Sequence, residues 1–189
     1  DPGTYYQTIT DRDIDVSFVG SVDPTDQRWP MRQEYTSYLR ANGINMVVAG
    51  GQRGARLEVD EMNRLFNRSK ITLNFSRDAG GLTNLKSRVF EATACGAMLL
   101  EDWDTETAEL FRDGEEFIIF RSKEDLLDKV LYYLRHDAER LQIAENGYQK
   151  TTNLYSALNQ WAYALEKMGV PAPLGGFWWE EFKEVMEAL

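Results

Sequence analysis

The sequence predicts an α/β domain built on a parallel sheet of about five strands, with a helical C-terminal extension. Three observations carry this. Short β-branched and apolar runs alternate with segments whose apolar residues recur at helical spacing. The first two runs end in glycine, as strands do where the chain must turn sharply toward a helix. Beyond residue 121 such runs cease and only helical periodicity remains.

Each element can be read in order. "IDVSFVG" (14–20) is a buried strand, and "RWPMRQEYTSYLRANG" (28–43) is a helix with Met31, Tyr35, Tyr38 and Leu39 on one face and a C-cap signal at Asn42-Gly43. "INMVVAGG" (44–51) repeats the strand, and "RLEVDEMNRLFNRSK" (56–70) repeats the helix through Val59, Met62, Leu65 and Phe66. "ITLNFS" (71–76) is the third strand. After the loop "RDAGGLTN" come a helix from about 85 to 95, strand four in "AMLLEDW" (97–103), a short helix near "TETAELF" and strand five in "EFIIF" (116–120). Strands separated by helices imply a parallel sheet covered on both faces, and right-handed crossovers make it doubly wound and Rossmann-like.

The remainder is helical. Ser122 with Glu124 and Asp125 is an N-cap with acidic first-turn residues, and Leu126, Leu127, Val130, Leu131 and Leu134 form that helix's apolar stripe. A second helix starts at Asp137 and ends near Asn146-Gly147. A third, over about 152–168, places Leu154, Leu158, Trp161, Leu165 and Met168 on one face before "GVPAPLGG" breaks it. The chain divides into a linker-like segment over 1–13, a Rossmann-like core over 14–121, a helical part of the same domain over 122–170 and an amphipathic tail over 171–189.

Composition excludes several classes of function. A net charge of −10 argues against a general nucleic-acid or anionic-membrane surface, so any anion site must be local. The single Cys95 forms no intramolecular disulfide, and neither it nor the lone His136 builds a Cys- or His-rich metal cluster. "EDWD" (101–104) supplies acids, in the loop after strand four, without further ligands, and no metal is expected. No apolar run reaches the roughly 18 residues of a membrane span, and no signal-peptide core is present, so a reducing, cytoplasmic setting is expected. The chain begins "DPGTYY" without Met.

In an open α/β sheet, ligands sit outside the carboxyl ends of the strands. Three loops fall there: "GSVDPTDQR" (20–28), "GGQRG" (50–54) and "SRDAGGLTNLK" (76–86). Gly20, Gly50, Gly51, Gly80 and Gly81 allow close backbone approach, Ser21, Leu82, Thr83 and Asn84 beside them are further donor-site candidates, and a helix starting near Asn84 or Leu85 would aim its amides at the third loop. Arg77, Lys86 and Arg88 outnumber Asp78 and Glu91 here, in an otherwise acidic chain. Amides with Lys and Arg suit phosphate, while Glu91 suits vicinal hydroxyls. Together they would take a sugar or ribose beside a diphosphate.

"KSRVFEATACGAMLLEDW", with "ITLNFS" upstream and "ELFRDGEEFIIFRSKEDLLDKVLYYLRHDAER" downstream, resembles the C-terminal domain of GT-B glycosyltransferases, nearest the spore-maturation-like branch of the group-one transferases. The resemblance runs over about 12–168, and "RVFEATACGA" is its most specific part. It implies one half of a GT-B fold that binds a nucleotide-sugar donor, with Glu91 accepting from the ribose hydroxyls. Many members carry a second Glu eight positions earlier that contacts the donor sugar; Thr83 stands there instead. Members also hold the diphosphate with basic residues after the first glycine loop, where Arg28 and Arg32 are the candidates. The resemblance further implies an acceptor (sugar, lipid or protein) held by an N-terminal domain absent from this chain. It implies no metal and no cofactor beyond the donor itself. The chain then reads as a fragment or split half that binds donor without efficient transfer.

Plainer roles stand beside these. Glu91 could pair with Arg88 or Lys86 on a helix surface, and either cation could be solvated. Cys95 reads as packed against the sheet, and His136 as a surface or helix-end residue. A non-catalytic nucleotide- or sugar-binding module, or a partner-binding domain, would share the fold. Phe177, Trp178, Trp179, Phe182, Met186 and Leu189 give the tail more apolar area than a solvated helix carries, which suggests an interdomain contact, self-association or packing on helices 126–168.

Overall fold

The computed structural model describes residues 3–8, 11–23, 25, 29–50, 57–103, 106–169, 183, 184, 186 and 187. Five strands, β1 (Ile14–Val19), β2 (Met46–Ala49), β3 (Ser69–Asn74), β4 (Met98–Asp102) and β5 (Ile118–Phe120), form one sheet in the order β2-β1-β3-β4-β5, and every pairing is parallel. This is the doubly wound α/β architecture that the alternation of runs predicts. The chain leaves β1 toward β2 on one side and continues through β3 on the other, so the order reverses between β1 and β3 and opens a crevice at their carboxyl ends.

The period-two alternation of a strand divides each run between two cores. Val16, Phe18, Ile71, Leu73, Met98 and Leu100 join Leu39 of α1 (Pro30–Ala41) and Leu126, Leu127 and Val130 of α5 (Lys123–Arg135). On the other side, Val19 meets Phe66 of α2 (Val59–Arg68) and Ala92 of α3 (Arg88–Ala94), and Leu99 meets Val89 of α3 and Leu110 of α4 (Thr107–Leu110). α6 (Asp137–Gln149) adds Ile143 and Ala144 to the first core.

Several boundaries differ from the sequence reading. β3 begins at Ser69, because the α2 helix stops at Arg68 and Ser69 already has extended backbone. α3 begins at Arg88, so Leu85 and Lys86 belong to the loop. Glu101 and Asp102 are the last residues of β4 and are buried. α6 runs through Asn146-Gly147 into a π-helical turn, Lys150–Leu154. Gly147 serves packing here: a Cβ on it would lie 2.6 Å from the Glu116 carbonyl oxygen. α7 (Ala157–Lys167), capped by the Ser156 hydroxyl, buries Asn159 and Ala162, whereas Leu158, Trp161 and Met168 are exposed. The tail beyond 169 lies largely outside the described residues; Met186 packs against the second core, and Glu187 pairs with Lys167 at 3.2 Å.

The N-terminal segment is tied to the domain. The Arg12 guanidinium donates to the carbonyls of Phe66 (3.0 Å), Ser69 (2.6 Å) and Cys95 (2.8 Å), gathering the ends of α2 and α3 and the start of β3. Asn67 holds the preceding residues through Thr8 N–H and the Tyr6 carbonyl.

Candidate functional site

The crevice at the β1/β3 switch point is walled by cations. Arg32 projects from α1, is 4% exposed, and donates to the Phe75 carbonyl at 3.1 Å. Its guanidinium lies 3.8 Å from the centre of the Trp29 ring, and Lys86 Nζ approaches the same ring at 4.8 Å. Burial holds the Lys86 ammonium below its ordinary pKa, and the charges of Arg32 and Arg88 lower it further, against Asp78 and Glu101. Three like charges held this close create a local positive field in an acidic chain, which an anion would relieve.

Arg88 has a different place. Its Nη1 donates to the Val19 carbonyl, latching the first turn of α3 to the end of β1, and burial lowers its pKa. Gly20 is required by this latch: a Cβ would stand 2.7 Å from the Phe18 ring and 3.2 Å from Arg88 Nη1. Lys86, rather than Arg88, is the cation of this pair left without a carbonyl partner among the hydrogen bonds described.

The third loop is closed on itself by Asp78, whose Oδ1 accepts from Gly80 N–H (2.8 Å) and Leu82 N–H (3.0 Å), while its carbonyl accepts from Gly81 N–H (3.1 Å). Asn84 N–H donates to the Ser76 carbonyl at 3.2 Å, and Thr83 is half-buried beside it. The first amides of α3 are also engaged: Val89 N–H meets the Lys86 carbonyl, and Phe90 and Glu91 N–H meet that of Ser87. Side chains, more than free amides, therefore dominate the crevice. Ser21 Oγ accepts from Asp23 N–H at 3.3 Å in the first loop, and Gly50 closes β2. Arg28 and Gly51 lie outside the described residues.

Glu91 faces the flank of α3, one turn beyond Ser87. There a cavity of about 250 Å³ opens between α3, the π-helical turn, the start of α7 and the N-terminal segment, lined by Ser87, Phe90, Glu91, Thr152, Tyr155, Gln160 and Tyr5. It is small beside the roughly 300–1,000 Å³ of drug-sized sites, and so suits a single ring. Burial pushes the Tyr5 hydroxyl up to about 12, with the Glu91 charge adding to it. Ser87, which lines the cavity, lies between Lys86 and Arg88 in sequence, so the loop that carries Lys86 leads directly into the helix that carries Glu91.

Sequence reasoning missed Trp29, Tyr5 and the Arg77–Trp103 stack at 4.5 Å; an aromatic next to Pro30 at a helix start was the available signal for the first. Cys95 is buried, its thiol pushed up to about 12 by burial and donating to Asn63 Oδ1 at 3.0 Å, as a packed residue does. His136 joins α5 to α6, stacked on Tyr132 at 3.9 Å. Among the described residues no group of three or more His, Cys, Asp or Glu could hold a metal ion, and no helix is long and apolar enough to cross a membrane.

A family model described as "Glycosyl transferase-like" matches residues 6–166. The fold is similar to the C-terminal domain of LpcC, a glycosyl transferase group 1 family protein from Francisella tularensis, with a TM-score of 0.62 and 12% identity over 83% of this chain and 98% of that one. It is also similar to Anabaena Alr3699/HepE in complex with UDP-glucose, with a TM-score of 0.60 and 12% identity over 81% of this chain and 40% of that one. S. aureus TarM, in a complex that includes UDP, gives a TM-score of 0.61 and 10% identity over 81% of this chain and 35% of that one. At such identities the likeness concerns the fold, and this chain spans less than half the length of the latter two. No curated protein matches the sequence.

Proposed function

The chain belongs to the glycosyl transferase-like family, and on that premise we propose that it is the donor-binding half of a transferase that moves a sugar from a nucleotide-diphosphate sugar to an acceptor. The observation that carries this reading is the Arg32–Lys86 crevice at the switch point, just ahead of the helix that carries Glu91 and its cavity. Arg32 and Lys86 meet the diphosphate and stabilise the charge it gains as leaving group. Glu91 accepts from the ribose hydroxyls, and Thr83 offers a hydroxyl toward the donor sugar. Arg28 is the further candidate for the diphosphate. The side-chain cations supply the positive charge, so the reading calls for no metal and no cofactor besides the donor. "RVFEATACGA" supports placement in the spore-maturation-like branch, and the buried thiol of Cys95 suits a reducing, cytoplasmic compartment.

The acceptor, a sugar, lipid or protein, is bound by a further domain; the greater length of the HepE and TarM chains supports this. Calorimetry with UDP, UDP-glucose and other nucleotide sugars tests the proposal. Saturable binding that weakens with salt is expected, and no binding to any of them overturns it. A second reading, a non-catalytic nucleotide-sugar-binding module, is favoured by Thr83 in place of Glu. It predicts donor binding without transfer even when an N-terminal half is supplied. The tail is assigned to interdomain contact or self-association, so removing residues 175–189 should abolish these in sedimentation while leaving donor binding intact. Loss of cooperative melting on that deletion would place the tail in the core instead.

A further inference from the structure

Beneath the cationic crevice, Asn74 and Glu101 are register partners on β3 and β4, both fully buried. Glu101 Oε2 accepts from Asn74 Nδ2 at 2.8 Å and from Thr107 Oγ1 at 3.4 Å. Its Oε1, sealed from solvent, has no hydrogen-bond partner. The next residue, Asp102, accepts from the backbone amides of Ser76 (2.7 Å) and Arg77 (3.2 Å), where the third loop starts. Asp102, its chain neighbour, is a second carboxylate beside it, and two negative charges so placed repel. One proton on Oε1 answers both, because it turns a stranded acceptor into a donor and removes the repulsion. Burial raises the Glu101 carboxyl well above its ordinary range, and Asp102 raises it further, while Asn74 and Ser76 pull the other way.

We propose that Glu101 is a positioning residue of the donor site: held neutral, it donates to Asp102, which fixes the start of the loop carrying Gly80 to Asn84. Its neutrality also leaves the charges of Lys86 and Arg88, the cations that feel it, available to an anionic ligand. Among the described residues of the other neighbouring elements it meets uncharged groups: Asn74 and Ser76 on the β3 side, Thr107 of α4, and its register partner Ile119 on β5. A diphosphate beside Lys86 adds negative charge near Glu101 and so holds its proton on. By linkage, affinity then falls as pH rises through the Glu101 pKa of the free protein. The affinity readout rests on the nucleotide-sugar reading above; the loop readout does not.

The test uses the full chain, with UDP-glucose as probe and carboxyl-carbon NMR as direct observation. Glu101 is expected to stay protonated where exposed glutamates ionise, and to titrate higher still with UDP-glucose bound. Between about pH 5 and about pH 9, wild-type affinity should fall by up to about tenfold per pH unit once Glu101 ionises. Glu101→Gln donates to Asp102 at every pH; it should bind like the wild type at low pH and lose that slope, keeping only the alkaline loss due to Lys86. Asp102→Ala should strip hydrogen-exchange protection from the amides of Ser76 and Arg77, whereas Glu101→Gln should preserve it. Titration of Glu101 with the exposed carboxyls, or a wild-type slope in Glu101→Gln, overturns the proposal. If UDP-glucose binds at no pH, the affinity arm moves to another nucleotide sugar; if none binds, the nucleotide-sugar reading fails, and the Glu101 titration and amide protection still decide this one.

Discussion

Lys86, Arg88 and Glu91 fall within six residues, yet each does something different. Their spacing was legible as a site for phosphate beside hydroxyls. Which cation is free to meet a ligand was not, because it depends on whether Arg88 can reach the Val19 carbonyl, a group from the far side of the crevice. Glu91 carries the clearest prediction at this scale. Glu91→Gln keeps the shape of the side chain but replaces two charged acceptor oxygens by one neutral oxygen and a donor. Affinity for UDP should drop by about 1.5–3 kcal/mol, roughly 10- to 150-fold, with an unchanged melting temperature. Calorimetry that finds equal affinity would remove the ribose contact from this residue.

The strands were readable because burial on both faces leaves a run of β-branched and apolar residues, and the intervening helices implied that they pair in parallel. Element ends were read less well. The α2–β3 junction has no glycine or proline to mark it, and the π-helical turn has no sequence signature. Asn146-Gly147 was misleading, because Gly147 is small for the sake of the Glu116 carbonyl rather than for a left-handed cap. Gly147→Ala therefore reverses the ordinary rule. In a free helix the change would stabilise by about 0.5–1 kcal/mol; here overpacking should destabilise by about 1–3 kcal/mol in urea denaturation. A stabilised variant would mean that the Glu116 backbone yields readily. On α7, helical periodicity named the wrong buried face: Asn159 is drawn inward by the carbonyls of Asn153 and Leu154, a demand of the preceding turn that hydropathy does not register.

For the molecule as a whole, two buried glutamates set opposite pH dependences. Burial raises the Glu116 carboxyl, but the Arg112 amide and guanidinium and then Lys150 outweigh this, and its pKa is lowered. Its contribution is present above the unfolded pKa of about 4.5 and is lost as pH falls through the folded value. Glu101 is raised, so its contribution is complete below about 4.5 and is lost as pH rises through its folded value. Melting temperature against pH should thus decline on both sides; Glu116→Gln should flatten the acid side and Glu101→Gln the alkaline one. A Glu116→Gln profile identical to the wild type on the acid side would show that the Arg112–Lys150 environment contributes nothing net. The burial of Glu101 was not legible, since "EDWD" reads as acids in the loop after strand four, and only the sheet register shows Glu101 sealed beside Asn74.

Trp29 touches both cations proposed for the diphosphate, with Arg32 at 3.8 Å and Lys86 at 4.8 Å from its ring. An indole's emission colour responds to the electric field across it, and here that field is set by charges that an arriving anion would neutralise or draw aside. On the proposed reading, Trp29 is an optical gauge of site occupancy. With Trp103 and Trp161 changed to phenylalanine to reduce background, a shift in emission on adding UDP, cancelled by Lys86→Ala, would report binding in real time and require neither an acceptor nor turnover.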